Sequence, residues 1–240
     1  MNVTATGLTK ASAAAAATAG AIFIAVQIGH PGFEEYTTET TQWVVRSYVK
    51  TVMAALALAG ITGIYLRQYR QAGLLGLLGY LGFAAGYLVM FSVEVIAAFV
   101  LPQLVHTQPG FVNDAVMANG GGPHGDIGSL QTLFSLAGAG YLLGGLVFGI
   151  ALFRTGILAR WAAALLAVST VGTAALAVLP AGFDRPIAVP EGVALIALGM
   201  SLWRNPRDVH QTADAPSPVA SAMFSATAQA VSPVEQSALR

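Results

Sequence analysis

Six stretches of this sequence are long and apolar enough, wound as helix, to cross the hydrocarbon core of a bilayer. They cover residues 8–28, 46–66, 73–101, 129–153, 157–180 and 186–203. A span needs about 20 mostly apolar residues. The runs are continuous rather than alternating, and they are rich in Ala, Leu and Gly, which argues against strands. Lipid offers no partner for an open backbone N–H or C=O, so apolar runs of this length are satisfied as helices. The expectation is an all-α, polytopic membrane helical bundle with about six transmembrane helices. Composition agrees: 9% of the residues are charged, against about 25% in soluble domains.

Several classes of chemistry are excluded at once. The chain has no cysteine, so disulfides, thiolate metal sites, iron–sulfur clusters and thiol nucleophiles are absent. A net charge of +0 gives no electrostatic basis for a nucleic-acid partner. Membrane lipids are the implied partners, and no cofactor is expected. The sequence contains neither G-x-S-x-G nor a P-loop.

Residues 8–28 have the basic residue and apolar run of a secretory leader, but the segment after them, IGHPGFEE, has no small-x-small cleavage site. They are read as a retained anchor. With the N-terminus inside, seven basic residues near span ends fall on the cytoplasmic side: Lys10, Arg67, Arg70, Arg154, Arg160, Arg204 and Arg207. Three fall outside: Arg46, Lys50 and Arg185. The positive-inside rule then predicts both termini in the cytoplasm. Trp43, Trp161 and Trp203 sit at predicted span ends, as interfacial anchors do. Residues 1–204 form the expected transmembrane domain. Residues 205–240, rich in Pro, Ser, Ala, Thr and Gln, are expected to be a disordered cytoplasmic tail.

GIYLR, GIALFR and GMSLWR each close an even-numbered span. They fit either a repeated two-helix hairpin or the common apolar-then-Arg ending of membrane helices. Small residues recur at four-residue spacing: Gly82/Gly86, Gly140/Gly144, Gly145/Gly149 and Ala55/Ala59/Gly63. Such rows let backbones approach closely, within the bundle or across a homo-oligomer face.

Intramembrane charge is where function is sought first. Glu94 and Glu191 are the candidate catalytic residues. By helical rise, Glu94 lies roughly 31 Å from Gly73, near the outer boundary of the core, and Glu191 roughly 18 Å from Trp203, hence deeper. Pro190 before Glu191 is a helix-start pattern, which leaves helix six beginning at Pro186 or at Pro190. A start at Pro190 sets the carboxylate at the positive end of the helix dipole. Arg46 and Lys50, four apart on one helix face, are the expected charge partners. His106, His124 and Asp126, in the long outer loop 102–128, are weak metal candidates because no ligand spacing such as H-E-x-x-H joins them. Asp126 and Ser129 alternatively cap span four.

The stretches WVVRSYVKTVMAALALAGITGIYLRQ, FSVEVIAAFVLP, GDIGSLQ and ALFRTGILARWAAALLAV follow one another here. In style and segment order, over residues 20–205, the chain resembles the uncharacterised multi-pass membrane proteins of high-GC Gram-positive bacteria. That resemblance implies a bacterial plasma-membrane location and carries no chemistry with it. Three functions stay open. One is a non-enzymatic membrane component: a scaffold, a complex subunit or a regulator. The second is a small transporter or channel using the outer-leaflet charges. The third is a membrane enzyme acting on a lipid or isoprenoid with Glu94 or Glu191 as general acid.

Overall fold

The computed structural model describes residues 4–29, 35–172 and 188–205, and the fold is helical throughout them. Three helical stretches are long and apolar enough to cross a membrane: Ala5–Ala25, Thr41–Leu104 and Ser129–Thr155. The shorter helix Arg160–Gly172 is also apolar. The chain therefore has the length and composition pattern of a membrane protein.

The first helix, α1 (Ala5–Ala25), begins where Thr4 accepts a hydrogen bond from the Gly7 N–H at 3.0 Å, satisfying one of the four orphan donors of a helix start. The stretch Thr41–Leu104 is not one rod. Gln68 (φ −137°) and Gly73 (φ 58°) leave helical geometry, and the positive φ is a conformation that glycine adopts without steric cost. The break divides the stretch into α2 (residues 41–67) and α3 (residues 74–104), which fold back on each other. The Thr62 and Tyr80 hydroxyls are 3.0 Å apart. The Trp43 indole N–H donates to the Ala97 carbonyl at 3.2 Å. In a straight helix those last two residues would be about 80 Å apart.

Next come α4 (Pro109–Asn119) and α5 (Ser129–Thr155), which contains a π-helical turn at Gly140–Gly144. Gly156, at φ 64°, closes α5 in the left-handed conformation that helix ends favour. Then come α6 (Arg160–Gly172) and α7 (Val189–Arg204). Helix α1 packs on α2 and α7, α3 on α5, α5 on α6, and α6 on α7.

Backbones meet where side chains are missing. A Cβ on Gly86 would lie 2.5 Å from the Tyr141 nitrogen, and one on Gly140 would lie 2.9 Å from the Gly86 nitrogen. Gly192 would meet the Gly20 carbonyl at 2.7 Å. The rows Gly82/Gly86, Gly140/Gly144 and Gly145/Gly149 thus face helices of the same chain, as does Gly63, which abuts Ser12. Ala55 and Ala59 point outward instead. Around these contacts lies the main core, centred on Ile61, Phe83, Tyr87, Phe148 and Leu195.

Three sequence expectations change. Residues 102–128 are not simply a loop: α4 lies within them and buries Val112, Ala115 and Val116 in a second core with Trp43, Leu101 and Val105. Trp43 is accordingly 5% exposed and is a core residue rather than an interfacial anchor. Among the described residues α7 runs from Val189, with Pro190 in its first turn; Pro186, the other expected start, lies outside the described residues. Its 16 residues span about 24 Å, short of a full hydrocarbon core. Finally, Asp126 does not cap span four with Ser129. Its carboxylate accepts from the Gly128 N–H at 2.8 Å, a local turn, and Gly128 itself occupies the cap position. Residues 173–187 and the expected tail, from residue 206 on, lie outside the described residues.

Candidate functional site

The two ends of the bundle differ in charge. At one end the α1 start, the α2–α3 turn, the α5–α6 turn and the α7 end meet. There Arg67 donates through Nε to the Asn205 carbonyl at 2.8 Å, Thr155 bonds Gln68, and the Ala159 N–H donates to the Ser201 hydroxyl at 3.1 Å. This end carries Lys10, Arg67, Arg70, Arg154, Arg160 and Arg204. At the other end lie Glu39, Glu94, Asp126 and Glu191, and the candidate site is built there.

Pro102 shapes one wall. It supplies no N–H, so in α3 the Ala97 carbonyl lacks its donor five residues on. The helix takes a π-helical turn at Ile96–Val100, with the Leu101 N–H reaching the Ile96 carbonyl. The Trp43 indole fills the vacancy at Ala97. That contact sets the register of α2 against α3. Lys50, seven residues beyond Trp43 and so on the same face, then meets Glu94, three residues before Ala97. Lys50 Nζ and Glu94 Oε1 are 3.5 Å apart.

On one side of this pair a void of about 10 Å³ touches Trp43, Arg46 and Asn119, barely enough for one water. On the other side a cleft of about 280 Å³ opens between α3, α4 and α5. Glu94 and Asn119 give it a polar corner, and Met90, Val93 and Phe134 give it an apolar wall. Such a cleft can take a small amphiphile: the Glu94 carboxyl and the Asn119 amide offer it a polar end, and Met90, Val93 and Phe134 an apolar one.

Arg46 has a different job. Its guanidinium donates to the carbonyls of Val26 (2.8 Å), Ile28 (2.6 Å) and Gly29 (3.0 Å). It therefore satisfies the orphan acceptors at the end of α1 and is not a partner of either glutamate.

Glu191 is held in the first turn of α7 and is 0% exposed, against 8% for Glu94. The Tyr87 hydroxyl donates to its Oε1 at 2.9 Å. Among the described residues its Oε2 has no hydrogen-bond partner, and neither has the Tyr141 hydroxyl. The Tyr141 and Tyr87 rings are 6.1 Å apart, edge to face. Tyr141 also borders the cleft, so an aromatic relay of Tyr141 and Tyr87 separates the cleft from Glu191. Tyr141 sits in the second π-helical turn. Both π-helical turns therefore border this region, and such turns are frequent at functional sites.

His106, His124 and Asp126 are each engaged locally, and the structure does not bring them together. His106 Nε2 lies 2.8 Å from Glu39 Oε1, His124 Nδ1 lies 2.8 Å from the Gly125 carbonyl, and Asp126 makes its local turn. No group of three or more His, Cys, Asp or Glu among the described residues could hold a metal ion. Sequence reasoning missed Tyr87, Tyr141 and Asn119. Asn119 had a readable signal, since Val112, Ala115 and Val116 follow helical spacing after Pro109.

Comparison with protein-family models, with curated proteins and with solved structures returned no match to this chain.

Proposed function

We propose that the chain is a six-span protein of a bacterial plasma membrane with both termini in the cytoplasm. In this reading it acts as a non-enzymatic membrane component: a scaffold, a complex subunit or a regulator. The proposed spans are α1, α2, α3, α5 and the sequence stretches 157–180 and 186–203, of which α6 and α7 are the described parts. The supporting observation is the closed core. Helices approach to backbone contact at Gly86, Gly140 and Gly192, and the deepest carboxyl group is sealed behind Tyr87. A general acid must come within about 2.6–3.2 Å of the atom it serves. A substrate reaches Glu191 only after the helices part, which counts against its use as an acid on a lipid or isoprenoid.

One observation favours the second reading, a small transporter or channel: Glu94 borders a cleft and pairs with Lys50. The two readings differ in whether water enters the core, and the Cys-free chain makes that measurable. Single cysteines at Ala57, Ile61 and Ala194, all buried, should resist a small water-soluble thiosulfonate reagent in reconstituted vesicles. A cysteine at exposed Asn119 should react. Rapid modification at any of the three core positions would reveal a water path and replace the component reading with transport.

A further inference from the structure

Helix α7 has a groove on each flank at its basic end. The larger, about 470 Å³, runs between α6 and α7 past Trp161, Val193, Ala197 and Met200. The smaller, about 300 Å³, lies between α1 and α7 against Ala13, Ala17 and Trp203. Both end at Arg204 and share Met200. The α7 stripe from Val193 to Arg204 is about 16 Å long by helical rise, close to half of a hydrocarbon core about 30 Å thick. An acyl chain of one leaflet fits that length.

We propose that these grooves and Arg204 form a site for one anionic diacyl phospholipid of the leaflet at the basic end. The phosphate sits on Arg204, and one acyl chain lies along each flank of α7.

Charge complementarity selects this occupant. Arg204 is exposed, and no carboxylate among the described residues pairs with it; the two salt bridges found, Lys50–Glu94 and His106–Glu39, lie at the other end. A guanidinium is a planar fork that meets phosphate oxygens in pairs. Lys10 does not line either groove; its ammonium lies 5.5 Å above the Trp203 ring, in a cation–π contact. Trp161 and Trp203 are 60% and 49% exposed, as indoles at the headgroup level are. Away from Ser201, Arg204 and Asn205 the groove walls are apolar, which suits acyl chains and not a soluble anion.

The two exposed tryptophans report occupancy directly. The full-length protein is reconstituted in phosphatidylcholine vesicles containing a minor fraction of dibrominated phosphatidylglycerol or, for comparison, dibrominated phosphatidylcholine. Bromine quenches indole fluorescence on contact, and buried Trp43 supplies a constant background. The anionic lipid should quench with about a five-fold higher apparent association constant, the preference expected for one basic residue at the surface. Arg204→Gln should bring the two lipids to parity, Arg204→Lys should keep part of the preference, and Arg154→Gln, at the same end but off the grooves, should leave it intact. Equal quenching by both lipids in the unaltered protein would overturn the proposal. So would a preference that survives Arg204→Gln. Weak quenching by either lipid would show that protein covers the grooves, which also overturns it.

Discussion

Glu191 and Tyr87 form a hydrogen bond that ties the start of α7 to the middle of α3. Interhelical hydrogen bonds in membranes are worth about 0.6 kcal/mol on average and about 1.7 at most. Tyr87→Phe should therefore destabilise the protein by about that much in a detergent unfolding titration. Glu191→Gln keeps a carbonyl oxygen for the Tyr87 hydroxyl and nearly the same volume, so it should cost less than Glu191→Ala, which also leaves a cavity. A Tyr87→Phe protein as stable as the parent would show that the bond carries no weight. Part of this was legible beforehand. Helical rise alone put Glu191 deeper than Glu94 and brought Lys50 within reach of an outer-end glutamate. Tyr87 was not legible, because an aromatic residue inside a long apolar run reads as core whichever way its hydroxyl points. Arg46 misled for a related reason: the carbonyls it caps lie 17 to 20 residues away, at a helix end whose position depends on how α1 and α2 pack.

The helices themselves were the readable part. Residues 46–66 and 73–101 stand out as separate apolar runs because RQYRQAG between them is polar and ends in glycine, and there the structure reverses. Helix α4 was hidden because eleven residues are too few to span and are easily merged into a loop. Which faces meet was also hidden, since spacing marks a small-residue row without naming its partner. The structure assigns partners and so separates glycines that are otherwise alike. On α5, Gly144 lies against the backbone of Gly82 and Phe83, whereas Gly138 has nothing within 4 Å of a built Cβ. Gly144→Ala should cost about 1–3 kcal/mol or more through overpacking, since backbone cannot move aside as a side chain can. Gly138→Ala should cost nothing and gain up to about 1 kcal/mol of helix propensity. Thermal unfolding of the two variants in one detergent compares them, and equal melting temperatures would contradict the assigned α3–α5 contact.

For the molecule as a whole, the decisive asymmetry is charge. Lys10, Arg67, Arg70, Arg154, Arg160 and Arg204 lie at one end, where Arg67 bonds the Asn205 carbonyl, while Glu39, Glu94, Asp114, Asp126 and Glu191 occupy the other together with Arg46 and Lys50. Sequence order alone predicts this segregation only if every apolar run is a full crossing; the contacts joining Arg67 to Asn205 and Trp43 to Ala97 bring the ends together independently of that count. Short loops rich in Lys and Arg are retained in the cytoplasm during insertion, so the basic end should face inward. Exposed Arg70, in the α2–α3 turn, and exposed Thr107, between α3 and α4, then lie on opposite sides of the membrane. In this chain without cysteine, Thr107→Cys should react with a membrane-impermeant maleimide in intact cells. Arg70→Cys should react only after the membrane is opened. Because Arg70→Cys removes one basic residue from the inner side, Tyr69→Cys serves as a second reporter with the charge intact. Labelling of Tyr69→Cys in intact cells would invert the orientation, and labelling of both ends from outside would exclude the single crossing by α3 between them.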